Sequence, residues 1–171
     1  MSSYSNICFY GGGAWGQALA ITLASLGNKS TLIVSDKFRE VDINNHVSKR
    51  FPQAKLSPLI KASIDKSQII KGCDLIFITT ESKRVLDTIN QIAFLSNKNI
   101  HVVITSKGFA TNTGETFSEV VESDFPNMTL SILTGPTFAD EIANNQPAAA
   151  VIANKVIEQA NSISELFHNS N

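Results

Sequence analysis

Cysteine is almost absent: the 171 residues contain two, Cys8 and Cys73. They stand in separate apolar segments, without a CxxC pair or a histidine-rich neighbourhood, which excludes a disulfide-stapled scaffold and a thiolate metal site. Buried, reduced thiols in a cytoplasmic protein are the expectation. The three histidines, His46, His101 and His168, are too far apart for any ligand spacing, so no metal is expected. Charge of a single sign is also lacking. Lys and Arg number 14 against 15 Asp and Glu, a net charge of -1, and no run of basic residues occurs. Sequence-independent binding of nucleic acid needs such a field, so no nucleic-acid partner is expected. No apolar run reaches the roughly 18 residues of a bilayer-spanning helix. Residues 1–7 carry no basic residue of the kind that opens a secretory leader. Neither repeats nor low-complexity tracts interrupt the chain, so nothing suggests a linker or a solenoid.

Hydrophobic residues, by contrast, make up 43% of the chain. A length of this order buries roughly 70% of the surface of the unfolded chain. One domain over residues 1–171 is expected, with no staple required. Short runs rich in β-branched and aromatic residues, at 7–10, 31–34, 75–79, 101–105, 130–133 and 148–153, alternate with longer amphipathic ones. Most of the short runs are apolar throughout, as in strands covered on both faces. The longer segments predict helices over 14–26, 37–49, 65–71, 82–95, 114–124, 138–144 and 155–168. Residues 50–64, with Pro52 and Pro58, read as loop plus one short strand. Strand followed at once by helix predicts an α/β fold, a doubly wound, mostly parallel sheet with helices on both faces.

Glycine is rare, nine in all, yet four fall within residues 11–16, Gly-Gly-Gly-Ala-Trp-Gly. Gly11, Gly13 and Gly16 fit GxGxxG between a strand and a helix, and Asp36 ends the next strand about 20 residues on. Each glycine has its own reason. Gly11 permits the tight turn, Gly13 lets backbone reach a pyrophosphate with no Cβ in the way, and Gly16 lets the helix lie close to the strand. Unpaired N–H groups at the helix start then face the anion. A Rossmann-type dinucleotide-binding fold follows; the alternative is a glycine turn that serves packing alone. Asp36 would bond the adenine ribose 2'-hydroxyl and repel the extra phosphate of NADP, which favours NAD. Ser35 and Lys37 flank it with a hydroxyl and an ammonium suited to a 2'-phosphate, so NAD and NADP both stay open.

At three places the chain resembles the bacterial-type NAD(P)-dependent glycerol-3-phosphate dehydrogenases. GGGAWGQALAIT at 11–22 resembles the family's GxGxWGTALA fingerprint, with Gln17 where a small residue is usual. TSKG at 105–108 resembles its (T/S)KG loop, and LTGPTFADEIANNQPAAAVIA at 133–153 resembles its GPSFAxE segment and P(T/A)A strand. The likeness runs over essentially the whole chain. It implies that Ala14 and Trp15 contact the dinucleotide, that Ser35 lies near the adenosine phosphate and that Ala139 is a further cofactor contact. It also implies that Lys107 touches nicotinamide and substrate, and that Gly135 and Thr137 contact glycerol 3-phosphate. The residues themselves suit these roles. Lys107 stands in a loop expected at a strand's C-terminal end, where open α/β sheets bind ligands. Gly135-Pro136-Thr137 ends a strand and opens a helix, with Pro136 suited to its first position and free amides able to hold an anion or a substrate hydroxyl; the alternative is a helix cap by Thr137 with no ligand. Asp140 and Glu141 begin that helix, where carboxylates complement the dipole, and are not read as a catalytic pair. Phe51-Pro52 resembles part of the family's YLP turn and suits either an approach to the nicotinamide or local core packing. Ile78-Thr79-Thr80-Glu81 departs from the family's VPS(Q/H) and lacks its proline.

The reaction implied by the resemblance moves a hydride between nicotinamide C4 and C2 of dihydroxyacetone phosphate, giving sn-glycerol 3-phosphate for phospholipid synthesis. A proton must reach the nascent alkoxide. In relatives it comes from a lysine of a (L/V)KN(V/I) motif that opens a helical second domain, where Asp, Arg and Asn residues hold the phosphate. No KN(V/I) follows Thr137. The expectation is the cofactor half of such an enzyme, with no catalytic residue of its own and inactive alone. A degenerate or split-gene dinucleotide-binding module without activity is the alternative, and a separate chain supplying the helical domain is a third. An apolar sheet edge near the end of the chain makes a homo-oligomer a further expectation.

Overall fold

In the residues described, 4–96, 98–110 and 114–168, the computed structural model shows one sheet of seven strands. Positions 1–3, which belong to the leader reading, and 169–171, which follow the last expected helix, lie outside the described residues. The central strand, β1 (Ile7–Tyr10), is flanked by β2 (Ser30–Ile33) and then β3 (Ile60–Ser63). On its other side follow β4 (Leu75–Ile78), β5 (Ile100–Ile104), β6 (Met128–Thr134) and β7 (Val151–Ala153). Every pairing is parallel except β6 with β7, where Leu133 stands opposite Ile152. The helices are α1 (Ala14–Ser25), α2 (Lys37–Asn44), α3 (Lys66–Gly72), α4 (Val85–Leu95), α5 (Phe117–Asp124), α6 (Ala139–Ala143) and α7 (Ile157–Ser164). Short 3-10 turns lead into α4 at Ser82–Arg84 and extend α7 at Glu165–Phe167. This is the doubly wound Rossmann arrangement. The chain reverses direction across the sheet between β1 and β4, which opens a crevice at their C-terminal ends.

Both faces of the sheet are covered, which explains why β1 and β4 are apolar at every position. Successive side chains of β1 go to opposite layers. Phe9 stacks on Phe77 at 5.0 Å between centroids, among Leu19, Leu23, Leu32 and Ile163, while Cys8 lies with Ile76, Ile89, Val102 and Ile104. Cys73 belongs to that second layer too, so the two cysteines of separate segments share one core. Burial pushes the Cys8 thiol up, and the neighbouring Cys73 adds to the effect. Neither thiol is exposed.

Several element ends differ from the sequence expectation, each for a local reason. α2 stops at Asn44 instead of residue 49, because His46 takes φ 65° and turns the chain so that its carbonyl receives the Leu56 N–H. α5 begins at Phe117 instead of 114: Gly114 has φ 89°, and Thr116 and Glu119 form a reciprocal capping box. The β7 run begins at Val151 rather than 148, and α7 begins at Ile157 rather than 155, since Asn154 Oδ1 accepts the Val156 N–H in a turn. The short strand expected within 50–64 is β3.

At the end of the sheet away from the crevice lies a polar chain. Tyr4 Oη meets His101 Nδ1 at 2.6 Å, His101 Nε2 meets Ser131 Oγ at 2.8 Å, and Asn154 donates to the same Ser131 oxygen at 2.8 Å. Burial lowers the His101 pKa to about 4, so the ring is neutral at pH 7. Among the described residues no helix is long and apolar enough to cross a membrane.

Candidate functional site

The glycine loop joins β1 to α1 at the crevice. Gly11 has φ 128° and donates its N–H to Ile33 O at 3.1 Å, which seats the turn on β2. A Cβ on Gly16 would stand 2.1 Å from Gly11 O, and one on Gly12 2.4 Å from Val34 Cγ1. A Cβ on Gly13 would meet nothing within 4 Å. Packing therefore demands glycine at 11, 12 and 16, whereas Gly13 borders open space. The need at Gly12 was not legible in the motif, because Val34 reaches it from the end of another strand. The Gln17 N–H bonds to Gly13 O at 3.0 Å, leaving the first-turn amides ahead of it without helical partners.

On one side of the loop is a cavity of about 440 Å³ lined by Gly12, Gly13, Ala14, Asp36, Phe38, Arg39, Lys49 and Arg50. Asp36 caps α2, accepting the Arg39 N–H at 2.8 Å. That bond holds its carboxyl below the usual carboxylate range, with the Arg39 charge and the Ser35 hydroxyl acting in the same direction. The cations expected here are differently placed. Lys37 pairs with Glu40 and Ser35 Oγ turns to Asp36 Oδ2 at 3.3 Å, and neither lines the cavity. Arg39, Lys49 and Arg50 do, with Lys49 paired to Asp42 at 2.7 Å. The signal for Arg39 was its spacing of one helical turn from Asp36; Lys49 and Arg50 arrive only because α2 ends early.

On the other side a cavity of about 350 Å³ is lined by Trp15, Thr80, Ser82, Ser106, Lys107, Gly135 and Thr137. Lys107 is exposed, in the loop after β5, next to Gly108 at φ 122°. This loop is tied to the one after β4: Thr105 Oγ1 donates to Ile78 O at 2.8 Å and Ser106 Oγ to Thr80 O at 2.6 Å. Hydroxyl bonds thus fix the segment that lacks the family's proline. Gly135 packs so closely on the segment between α6 and β7 that a Cβ would come within 2.5 Å of Ala149 O. The turn after β6 stays extended there, and α6 opens only at Ala139 with Phe138 as N-cap. Pro136 is therefore not the first helical residue, and Thr137 caps nothing. Ala139 and Phe51 pack with Ala18 and Ala143 beneath α1. Phe51 accordingly serves the core, and neither residue lines either cavity. Gly11 and Gly16 lie behind the loop rather than in a cavity wall.

A dinucleotide fits this arrangement on chemical grounds. Open backbone at Gly13 lies between a cavity carrying cations with Asp36 and a cavity carrying Lys107. Trp15 Nε1 and Thr80 Oγ1, both on residues of the second cavity, are buried without a hydrogen-bond partner. A family model described as the N-terminus of NAD-dependent glycerol-3-phosphate dehydrogenase matches residues 6–160. The glycerol-3-phosphate dehydrogenase (NAD(P)+) of Francisella tularensis subsp. novicida is 34% identical over 171 residues, covering 97% of this chain and 51% of the relative. The crystal structure of glycerol-3-phosphate dehydrogenase from Coxiella burnetii superposes with a TM-score of 0.83 at 25% identity, over 97% of this chain and 51% of that one. The enzyme of Plasmodium falciparum shares the fold, with a TM-score of 0.82 at 21% identity, over 96% of this chain and 50% of its own. This chain spans about half the length of the relatives it matches. It belongs to the NAD-dependent glycerol-3-phosphate dehydrogenase family and corresponds to the N-terminal domain of its members.

Proposed function

We propose that the chain binds NAD(H) or NADP(H) across the two cavities and forms the cofactor side of the reaction sn-glycerol 3-phosphate + NAD(P)+ ⇌ dihydroxyacetone phosphate + NAD(P)H + H+. The observation that carries this reading is the glycine loop, whose one glycine free of close neighbours, Gly13, opens between a charged cavity and one holding Lys107. Gly11, Gly13, Ala14, Trp15 and Gly16 shape the pyrophosphate seat. Asp36, with Ser35 and Lys37 beside it, sets the adenosine end. Lys107 serves the nicotinamide end, and Lys107, Gly135 and Thr137 face the substrate. The nicotinamide supplies the hydride chemistry when bound. Lys107 contributes a positive charge that orients a polar substrate. No residue of either cavity is assigned as proton donor, so a helical domain, on this chain or another, completes catalysis, and residues 1–171 alone bind without turnover. The setting is cytoplasmic supply of glycerol 3-phosphate for phospholipid synthesis, and self-association through the β7 edge suits its exposed Val151.

Trp15 is the only tryptophan, so its fluorescence reports on the site directly. Titration with NADH and with NADPH is expected to give saturable quenching with at least one of them; none with either refutes binding. Oxidation of NADH by dihydroxyacetone phosphate with this chain alone would contradict the assignment of the proton donor elsewhere.

A further inference from the structure

Two side chains hold the glycine loop from beneath. Gln17, the fourth residue of α1, is buried, donates through Nε2 to Gly12 O at 2.9 Å and accepts through Oε1 from Ser48 Oγ at 2.6 Å. Ser48, also buried, accepts the Phe51 N–H at 2.9 Å. Just past β4, Thr79 Oγ1 donates to Gly11 O at 2.8 Å. The relay has one direction. Ser48 Oγ receives the Phe51 N–H, so its own proton goes to Gln17 Oε1, which leaves Nε2 for the Gly12 carbonyl. In a planar trans peptide the carbonyl and the next N–H point opposite ways. Holding the carbonyls of Gly11 and Gly12 inward therefore turns the N–H groups of Gly12 and Gly13 outward, to the side where Gly13 meets open space.

We propose that Gln17, braced by Ser48 and assisted by Thr79, is a positioning residue that aims the Gly12 and Gly13 amides at the diphosphate of the dinucleotide. The proposal rests on the dinucleotide reading given under Proposed function. It concerns departures of this chain from the family pattern: Gln17 replaces a small residue, and Thr79 lies in the segment that lacks VPS(Q/H). Preorganised amides cost nothing to orient at binding, whereas a loop free to rotate its peptides must be ordered by the ligand. The long buried amide also ties the loop to Phe51, whose ring packs under α1.

The test uses Gln17→Met, which keeps the length and removes both hydrogen bonds. ADP and adenosine are titrated by amide resonances, and NADH by Trp15 fluorescence. ADP and NADH are expected to bind about tenfold more weakly, while adenosine, which lacks the diphosphate, changes less than twofold. Unchanged ADP affinity overturns the proposal. So does an equal loss for ADP and adenosine, the result expected if Gln17 only supports the fold. Should Gln17→Met not fold, Thr79→Val and Ser48→Ala decide on the same two ligands, and ADP affinity intact in both overturns it. A wild-type chain that binds neither ADP nor NADH overturns the dinucleotide reading itself, and the positioning role with it.

Discussion

Gly13 and Gly16 stand three positions apart and meet opposite surroundings. Gly13 has φ -75°, which any residue adopts, and borders open space. Gly13→Val is therefore expected to keep the thermal midpoint within about 2 °C, since it touches nothing in the free protein. Its NADH affinity should fall by at least roughly 30-fold, because the new side chain occupies the pyrophosphate seat. Gly16→Ala reverses the pattern. Its Cβ meets the Gly11 carbonyl, and backbone must move, at a cost of about 3 kcal/mol in urea unfolding. A Gly16→Ala chain as stable as the wild type would contradict the close packing. His101 gives a pH dependence. An unfolded histidine titrates near 6.5, whereas the buried ring titrates at about 4. The unfolded chain thus takes up an extra proton between those values. The ring's contribution is whole above pH ~6.5, erodes as the pH falls toward ~4, and is lost below, on the order of 3 kcal/mol in all. Unfolding free energies measured from pH 7 to 4 should show this slope in the wild type and a shallower one in His101→Gln; equal slopes would remove His101 as the cause.

Elements differ in how far neighbours in sequence decide them. α5 is decided locally: Thr116 accepts the Glu119 N–H while Glu119 returns a bond to the Thr116 N–H. Thr116→Ala is expected to cost about 1 kcal/mol in chemical unfolding, and no loss would mean that packing of Phe117 and Val121 alone holds the helix. β1 and β4 were legible because a strand covered on both faces must be apolar at each position. α1 was legible from the spacing of Leu19 and Leu23. The overrun of α2 has a different origin. Residues 45–49 carry no glycine to mark a stop, yet His46 takes the left-handed conformation and closes a Schellman motif, its N–H on Ile43 O at 2.9 Å and the Val47 N–H on Asp42 O at 2.9 Å. The site divides in the same manner. GxGxxG and Asp36 could be read from spacing because the turn and the cap are local. Gly12 and Lys49 could not, since their partners, Val34 and the cavity wall, are set by how β2 and α2 lie against the loop. Pro136 misled as the first helical residue because the packing of Gly135 on Ala149 overrides the local preference for an early helix start.

For the molecule as a whole, the dinucleotide reading carries a thermodynamic consequence. A ligand that binds only the folded chain adds about 2.7 kcal/mol at 100 times its dissociation constant. NADH or NADPH at that excess should raise the thermal midpoint by several degrees, about 2–4 °C per kcal/mol for a chain near this size; no rise at saturation would show that the quenching of Trp15 reports something other than site binding. The strand order also dictates how the chain can assemble. β1 pairs with β2 and with β4, but β4 begins only at Leu75. While the protein is being made, the first three strands can join early, and the apolar edge of β1 stays open until residues 75–78 have emerged. Parallel pairings across such a separation form late and are costly to close. β5, β6 and β7 then add outward in order. The junction of β1 with β4 is thus a seam between an early half and a late half of the sheet, and the glycine loop lies along it. A dinucleotide seated there would act as a clasp across the joint between the two halves.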